Sequence, residues 1–260
     1  MPPPTPASCS SSRPGPAKGI PPNATRRHAT HALLYDIHGN LPALEAVIAD
    51  ARAAGANRFV LGGDYALAGA FPQDVVKRLE KLDADWIRGN TERWLEDPSD
   101  APGDELLHRS IEYCRDQLGG KRTGKLYALP EQLEIDGACV CHASPRSDIL
   151  TFMPEPTEGD RQLLANSQAE IVVFGHSHLQ FAREAEGGHF LVNPGSVGLP
   201  FDGDRRAAYA LWKGGRDFDL RRVQYDSDGY AQQVRKRMAA KLGDTVETLV
   251  RRIQQAAMVS

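Results

Sequence analysis

Short apolar segments alternate with amphipathic segments along most of the chain, and this alternation restricts the fold more than any other feature. Residues 32–35 predict a strand, and residues 41–54 predict a helix because their apolar residues recur every three or four positions. Residues 59–61 and 73–82 repeat the same order. Such a chain buries its apolar faces by layering helices against sheets.

The second half of the chain changes to a pattern dominated by strands. Residues 131–135 and 138–142 flank Asp136-Gly137, a dipeptide that is favoured in two-residue hairpin turns. Further predicted elements are strands at 85–87, 171–174, 179–184, 189–192, 209–213 and 218–223, and helices at 103–118, 229–242 and 245–258. The pattern therefore predicts a mixed α/β sandwich of two sheets with helices outside.

The composition excludes several classes of protein. Of the 260 residues, 41% are hydrophobic, which is enough for a sizeable core, and the net charge of −3 provides no basic field for long nucleic acids. No apolar run approaches the roughly 20 residues that cross a bilayer, so no membrane span is predicted. The four cysteines lack the paired spacing of a structural zinc site. We expect a cytoplasmic protein, and its assembly into a homo-oligomer stays open.

The first 28 residues differ in composition from the rest of the chain. Eight of the first 22 residues are Pro, and no acidic residue occurs before His28. Such a segment buries too little apolar surface to offset its ordering entropy, so we predict a disordered Pro-rich tail over residues 1–28. Residues 29–260 are predicted to form a single domain, with two helices over residues 229–258 at its C-terminal end.

Side chains that bind metal ions follow the predicted strands at five places. Asp36 and His38 come after the first strand, where residues two apart face the same side of an extended chain. The pair alone is weak evidence, because Asp also caps turns and His is common at surfaces. Gly39 and Asn40 follow directly, and the whole pentapeptide is far rarer by chance than the pair.

The other four places differ in how specific they are. Asp64 follows two glycines in a pattern that also forms ordinary turns, and Asn90 stands where a helix N-cap would stand. His142 ends the second strand of the hairpin, where a lone His is usually a core or surface residue. His176 and His178 form an H-x-H pair, which is rare for a chain with eight histidines.

Together these places supply seven donors and no thiolate. Carboxylate, amide and imidazole donors suit Mn, Fe or Zn in an open site rather than a structural zinc site. Seven donors exceed the needs of one ion, but if Asp64 bridges, each of two ions receives four protein groups. That arrangement is typical of two-metal phosphoester hydrolysis. The predicted metal ligands are Asp36, His38, Asp64, Asn90, His142, His176 and His178.

This ordered series of motifs, with N-P-G-S-V-G at residues 193–198, resembles the calcineurin-like metallophosphoesterase superfamily and within it the compact bacterial and archaeal phosphodiesterase-type branch. The resemblance covers residues 31 to 225. It implies a fold of the α/β (α+β) class, a four-layer αββα sandwich of two mixed β-sheets with flanking helices. It also implies one ion held by Asp36, His38, Asp64 and His178, and a second held by Asp64, Asn90, His142 and His176.

The chain is thus predicted to be a dinuclear metal-dependent phosphoesterase. We expect it to hydrolyse a small phosphodiester or phosphomonoester, nucleotides included, by metal-activated hydroxide, with Asp64, Asn90 and His142 as catalytic residues. Two divalent ions are expected, with Mn favoured over Fe, Zn, Ni and Mg. The alternative is a non-catalytic metal-binding scaffold or sensor on the same fold.

Two positions depart from the pattern of the family. Tyr35 stands where relatives usually have Ser, which brings the outer hydrogen bonds of the first ion into question. Thr91 replaces the His that follows the ligand Asn in many relatives, and a Thr is no general acid near neutral pH, so good leaving groups are expected to be favoured. Glu92 and Arg93 are alternatives for that role, but both also fit a solvated first helical turn.

Weaker candidates have structural explanations of equal or greater weight. Arg146 follows His142 and is a candidate phosphate contact, and residues 193–198 either bind phosphate through backbone N–H groups or pack beneath the site. Cys139 and Cys141 share one face of a strand and fit core packing better than reactivity. Loop aromatics that fit either a substrate rim or the core are Tyr65, Phe71, Trp94, Phe152 and Phe201.

Overall fold

The structure is a computed structural model that describes residues 29–259, and the predicted tail over residues 1–28 lies outside the described residues. Ten strands and eight α-helices occur in that range. The strands are β1 His31–Leu34, β2 Arg58–Leu61, β3 Ala84–Trp86, β4 Gln132–Ile135, β5 Ala138–Cys141, β6 Ile171–Val173, β7 Gln180–Glu184, β8 Phe190–Pro194, β9 Ala207–Trp212 and β10 Phe218–Val223. The helices are α1 Leu41–Ala53, α2 Pro72–Leu79, α3 Asn90–Glu96, α4 Glu105–Leu118, α5 Gly120–Tyr127, α6 Asp160–Leu163, α7 Ser227–Leu242 and α8 Val246–Gln255.

The strands form two mixed sheets of five strands each. The first sheet has the order β10-β9-β1-β2-β3, and the second has the order β4-β5-β6-β8-β7. In the first sheet β1, β2 and β3 run parallel, as do β5, β6 and β8 in the second, while the other pairs are antiparallel. The predicted class, an α/β sandwich of two mixed sheets with helices, is confirmed.

Side chains of β1 show how the layers are separated. Ala32 and Leu34 pack against the helical layer that contains α1 and α2, whereas Leu33 and Tyr35 face the second sheet. The alternation follows from the two-residue period of a strand. Because both faces of the sheet are covered, consecutive apolar residues are all buried, on alternate faces. The inter-sheet core also receives Val140 and Val173 from the second sheet.

The predicted hairpin is confirmed in its register. Ile135 pairs with Ala138 across the turn, and both turn residues have positive φ, 47° at Asp136 and 80° at Gly137. This is the conformation that the Asp-Gly dipeptide adopts readily, because Gly has no Cβ and Asp tolerates the left-handed region.

The helices agree less closely with the pattern. Helix α1 buries Leu44, Val47 and Ile48 as predicted. Helix α5 was not predicted, since Gly120 and Gly124 lower its intrinsic helix propensity and its stability comes from packing Leu126 into the core. The four-residue helix α6 is too short for a periodic signal.

Helices α7 and α8 pack together at the C-terminal end of the chain. Their apolar side chains, including Val234, Met238 and Leu249, form one cluster with Leu106 and Tyr113 of α4. The pair therefore extends the helical side of the sandwich. Within residues 29–259 no helix is long and apolar enough to cross a membrane.

The carboxyl ends of the parallel strands determine where the predicted ligands lie. The five loops that contain them follow β1, β2 and β3 of the first sheet and β5 and β6 of the second. Since parallel strands end at the same edge of a sheet, all five loops reach one end of the sandwich.

Candidate metal centre

The backbone at this end of the sandwich is held in a rarely populated conformation. Nine non-glycine residues of the described range have positive φ, and five of them are predicted ligands, with φ between 46° and 66°. The five are Asp36, His38, Asp64, His176 and His178. Each such residue costs about 1 kcal/mol or more, and clusters of them are typical of functional sites. Local preference alone does not produce this geometry, so surrounding contacts must impose it.

Three of the predicted ligands form a first cluster, called here the Asp36 group, which consists of Asp36, His38 and His178. The His38 Nδ1 atom lies 2.8 Å from the carbonyl oxygen of Leu67, and His178 Nδ1 bonds to the carbonyl oxygen of Leu199. Because a carbonyl oxygen only accepts, both Nδ1 atoms carry the proton and both Nε2 atoms carry a lone pair. Yet the two Nε2 atoms are 3.1 Å apart, an arrangement that a shared cation would stabilise.

Three further ligands form the Asp64 group, which consists of Asp64, His142 and His176. His142 donates through Nδ1 to the carbonyl oxygen of Gly62 at 2.8 Å, and its Nε2 lies 3.4 Å from Asp64 Oδ1. The amide oxygen of Asn90 is 2.8 Å from the same Nε2. Asn90 is therefore positioned as a fourth donor beside this group.

Asp64 lies between the two groups. Its Oδ2 atom is 3.7 Å from His38 Nε2 of the Asp36 group, and its Oδ1 atom faces His142. The structure thus brings all seven predicted ligand side chains to one place. Asp64 turns one carboxylate oxygen to each group, whereas Asp36 approaches the Asp64 group through Oδ1 alone, 4.0 Å from His142 Nε2.

Two buried atoms test whether these residues suit metal ions. Asp36 Oδ1 and His176 Nδ1 are both buried, and neither has a hydrogen-bond partner among the described residues. A buried polar atom without a partner costs about 1–3 kcal/mol, so such atoms are retained where another ligand satisfies them. One lies in each group. The donor set therefore fits one divalent ion at each group.

Burial and charge pairing shift the pKa values of the ligands in opposite directions. Burial raises the pKa of Asp36 to about 8, against the opposing effect of nearby His142. Burial would lower the pKa of His142, but the carboxylates of Asp64 and Asp36 raise it to about 10. Burial and the charge of His142 together lower the pKa of His176 to about 4. Such divergent pKa values in one cluster are typical of functional sites.

Glu92 is a site residue that the sequence analysis underestimated. Its side chain is fully buried, and its carboxylate accepts hydrogen bonds from the backbone N–H groups of Asp64 and Gly89 at 2.8 Å and of Tyr65 at 2.9 Å. The alternative interpretation of Glu92, a solvated residue of the first helical turn, is wrong. The Glu three positions into a helix is a capping-box signal that pointed to this role.

Residues 193–198 support the site from beneath. The N–H of Gly198 donates to the carbonyl oxygen of Asp36 at 3.1 Å, and Ser196 Oγ donates to the same oxygen at 2.7 Å. A Cβ at Gly198 would lie 1.8 Å from the carbonyl oxygen of Ile37, so only Gly fits. Because the Gly198 N–H and the Ser196 hydroxyl already bond to the backbone of Asp36, we assign residues 193–198 to packing beneath the site rather than to phosphate binding.

The two departures from the family pattern have different consequences. Tyr35 points into the inter-sheet core, where its hydroxyl donates to Val173 at 3.3 Å and its ring occupies the space left by Gly62 and Gly175. The Asp36 group is therefore not crowded by it. Thr91 is buried and its N–H donates to Asp64 Oδ1 at 3.1 Å, so it contributes to holding Asp64.

The candidate aromatic rim is mostly core. Tyr65 and Phe152 are fully buried and Trp94 is nearly so. The aromatic rings near the site are half-buried Phe201, which stacks on His178 with 4.4 Å between ring centroids, and Phe71, which stacks on Tyr230. Cys139 and Cys141 belong to the packing on the outer face of the second sheet, as predicted.

Comparisons with known proteins agree with this geometry. The family model of the calcineurin-like phosphoesterase superfamily domain matches residues 30–214. The uncharacterized protein MJ0912 of Methanocaldococcus jannaschii is 28% identical over 241 residues, a match that covers 82% of this chain and 95% of that protein.

Two crystal structures have the same fold. A metallophosphoesterase from Sphaerobacter thermophilus is 23% identical, with a TM-score of 0.72 and coverage of 88% of this chain and 100% of that one. The hypothetical protein PH1004 from Pyrococcus horikoshii OT3 is 20% identical, with a TM-score of 0.72 and coverage of 85% and 97%. Because the family model spans most of the chain, the chain belongs to the calcineurin-like phosphoesterase superfamily, as its motifs predicted.

Proposed function

We propose that this member of the superfamily is a two-metal phosphoesterase that hydrolyses a small phosphodiester or phosphomonoester. The observation that carries the proposal is the convergence of seven donors, three in each group and Asn90 beside the Asp64 group, with Asp64 facing both groups and with one unpartnered buried atom in each. Two divalent ions, with Mn favoured, would supply an acidified water and neutralise the oxygens of the phosphoryl group.

The residues of the chain would hold and orient these participants. Asp36, His38 and His178 would hold one ion, and Asn90, His142 and His176 would hold the other, with Asp64 shared between them. Backbone carbonyls fix the ring orientation of His38, His142 and His178, which keeps each Nε2 available as a donor. This preorganisation means that little rearrangement is needed when the phosphoryl group binds.

Thr91 favours a particular kind of substrate. Its buried hydroxyl lies 3.5 Å from a carboxylate oxygen of Glu92 and provides no acid for a departing alcohol. The proposed enzyme is therefore expected to act best on esters whose leaving groups depart without protonation.

The test is hydrolysis of bis-p-nitrophenyl phosphate and of p-nitrophenyl phosphate by protein stripped with a chelator. Mn²⁺, Ni²⁺, Mg²⁺ or Zn²⁺ is then restored singly. We expect turnover only with added metal, and loss of that turnover in His176→Ala. Stoichiometric binding of two ions with no turnover on either ester would favour the alternative, a metal-binding scaffold or sensor.

A further inference from the structure

The loop that follows His142 borders two adjoining spaces on the side of the Asp64 group. A cavity of about 80 Å³ is lined by His142 and Arg146, and a groove of about 550 Å³ beside β4 and β5 also reaches Arg146. Gln132 and Pro145 line both spaces as well. The two spaces therefore adjoin at Gln132, Pro145 and Arg146.

Arg146 is the free cation at this junction. It is exposed, and no hydrogen bond or ion pair engages its guanidinium within residues 29–259. The two other arginines nearby are committed: Arg93 makes a bidentate pair with Asp148 at 2.8 and 3.0 Å, and Arg88 pairs with Glu131. A guanidinium with open donors binds a phosphate oxygen pair in a geometry that Lys does not match.

The charges around the two spaces limit how many phosphates can bind. Glu131 and Asp148 line the cavity but are neutralised by Arg88 and Arg93, whereas Glu134 lines the groove beyond Arg146. Among the residues that line the two spaces, Arg146 is the one cation without a partner, so apart from the proposed ions the chain offers one positive charge to a phosphate oxygen. A polyphosphate or a long nucleic acid would bring further charges against Glu134 without further cations to pair with them.

The groove offers hydrogen-bonding groups beside apolar surface. Gln132, Asn166, Ser167 and Gln168 line it, and their amides and hydroxyl supply both donors and acceptors. Asn166 has a φ of 71°, so the loop that forms this wall is held in a specific turn. A volume of about 550 Å³ is typical of small-molecule sites.

We propose, on the basis of the function proposed above, that the substrate is a small phosphodiester with one nucleoside-sized, hydrogen-bonding ester group. The scissile phosphate lies at the Asp64 group, Arg146 donates to a non-bridging phosphate oxygen, and the ester group occupies the groove. In the reaction water adds to phosphorus, one P–O ester bond breaks, and the departing alcohol oxygen takes up a proton from solvent. The products are a phosphomonoester and an alcohol.

The experiment compares two chromogenic diesters with the metal-loaded full chain. Thymidine 5′-(p-nitrophenyl phosphate) offers a nucleoside to the groove, and bis-p-nitrophenyl phosphate does not. Arg146→Ala is expected to lower kcat/KM for both by about 10- to 100-fold, and Arg146→Lys is expected to recover part of the loss. The double variant Gln132→Ala with Gln168→Ala is expected to lower the ratio of nucleoside to non-nucleoside kcat/KM by about 3- to 10-fold.

Matched controls lie on helices away from the groove. Arg52→Ala removes an exposed arginine on α1, and Gln232→Ala removes an exposed glutamine on α7. Both variants are expected to leave the rates and the ratio unchanged. Wild-type rates in Arg146→Ala, or an unchanged ratio in the double variant, would overturn the proposal.

Binding distinguishes failure of this proposal from failure of the proposed function. If no ester is hydrolysed with any metal, the proposed function fails. Calorimetric titration of the protein with thymidine 5′-monophosphate then tests whether the groove and Arg146 bind a nucleotide. Binding that Arg146→Ala weakens by about 10-fold or more would support the assignment. Absence of binding, or binding that Arg146→Ala leaves unchanged, would overturn it.

Discussion

The two ligand groups of this protein differ in how far they are enclosed. Every member of the Asp36 group is buried, and the ring of Phe201 covers His178. In the Asp64 group Asp64 and His142 are buried as well, but His176 is only partly buried, and His142 lines a cavity that Arg146 also lines. Under the proposed function, the Asp36 group would serve chiefly to hold its ion, and the Asp64 group would be the side from which a substrate approaches.

The loops of the two groups are also held by different means. The loop of Asp36 is fixed by Ser196 and Gly198, which bond to its backbone carbonyl. The loops of Asp64 and Asn90 are fixed by the one carboxylate of Glu92, which receives three backbone N–H groups. Backbone packing thus supports the enclosed group, and a single buried charge supports the open one.

Asp64→Asn should produce the largest effect, because this side chain faces both groups. We expect metal content to fall from two ions per chain to one or none, and hydrolysis to fall by about 10³-fold, beyond the 10- to 100-fold loss typical of residues outside the ligand set. Metal analysis and steady-state kinetics measure both. The exposed Asp74→Asn is the matched control, and equal metal content in the two variants would contradict the bridging position of Asp64.

Substitution of His176 and of His178 should separate activity from stability. Both Ala variants are expected to lose metal-dependent hydrolysis. His178→Ala should also destabilise the metal-free protein by about 2 kcal/mol more than His176→Ala does, since it removes a buried ring that packs on Phe201. Denaturant unfolding in the presence of a chelator measures the difference. Equal loss of stability in the two variants would remove the distinction between an enclosed and an open group.

Glu92→Gln should weaken the open group selectively. The amide has no negative charge, and its NH2 group replaces one of the two acceptor oxygens and opposes the backbone N–H groups that bond to that oxygen. The shared anchor of the loops of Asp64 and Asn90 is therefore weakened. We expect the affinity of the Asp64 group for metal to fall by about 10- to 100-fold. Calorimetric titration with Mn²⁺ measures it, with the exposed Glu45→Gln as control. An equal fall at both groups would show that Glu92 holds the whole site.

The smallest predicted effect is a pH dependence of metal stabilisation. Metal binds the deprotonated ligands, whereas burial raises the pKa of Asp36 to about 8, and the two carboxylates outweigh burial to raise that of His142 to about 10. In the metal-free protein both raised pKa values mean that the folded state favours the protonated forms. The stability of the folded state therefore falls as the pH rises towards 8, where Asp36 loses its proton, and towards 10, where His142 does.

The increase in Tm caused by a fixed concentration of Mn²⁺ should therefore grow between about pH 6 and pH 8, as fewer protons must be displaced. Thermal unfolding with and without metal at each pH measures this increase. A constant or declining increase would contradict the assigned protonation of Asp36 and His142.

The sequence identified the residues that converge at the site better than it identified the residues that support them. Asp36, His38, His176 and His178 stand in motifs whose spacing is rare by chance, and parallel strands bring their loops together. Glu92 and Phe201 act through contacts made only in the folded chain. Glu92 stands at a capping-box position that also fits a solvated helical turn, and no local pattern distinguishes Phe201 from the other loop aromatics.

The fold shows the same division. The Asp-Gly hairpin and helix α1 follow from local chemistry, because a turn dipeptide and a helical stripe each specify their own conformation. Helix α5 forms although Gly120 and Gly124 disfavour it, since Leu126 packs into the core. Tertiary packing therefore determines that α5 is helical, and it also imposes the positive φ of the five predicted ligands.

The most direct test of a two-ion site is a crystal structure of the full chain grown with Mn²⁺ and measured near the manganese absorption edge. The account predicts two anomalous peaks about 3.5–4 Å apart, one at the Asp36 group and one at the Asp64 group, with the carboxylate of Asp64 between them. A single peak, or peaks at any other place in the molecule, would contradict it.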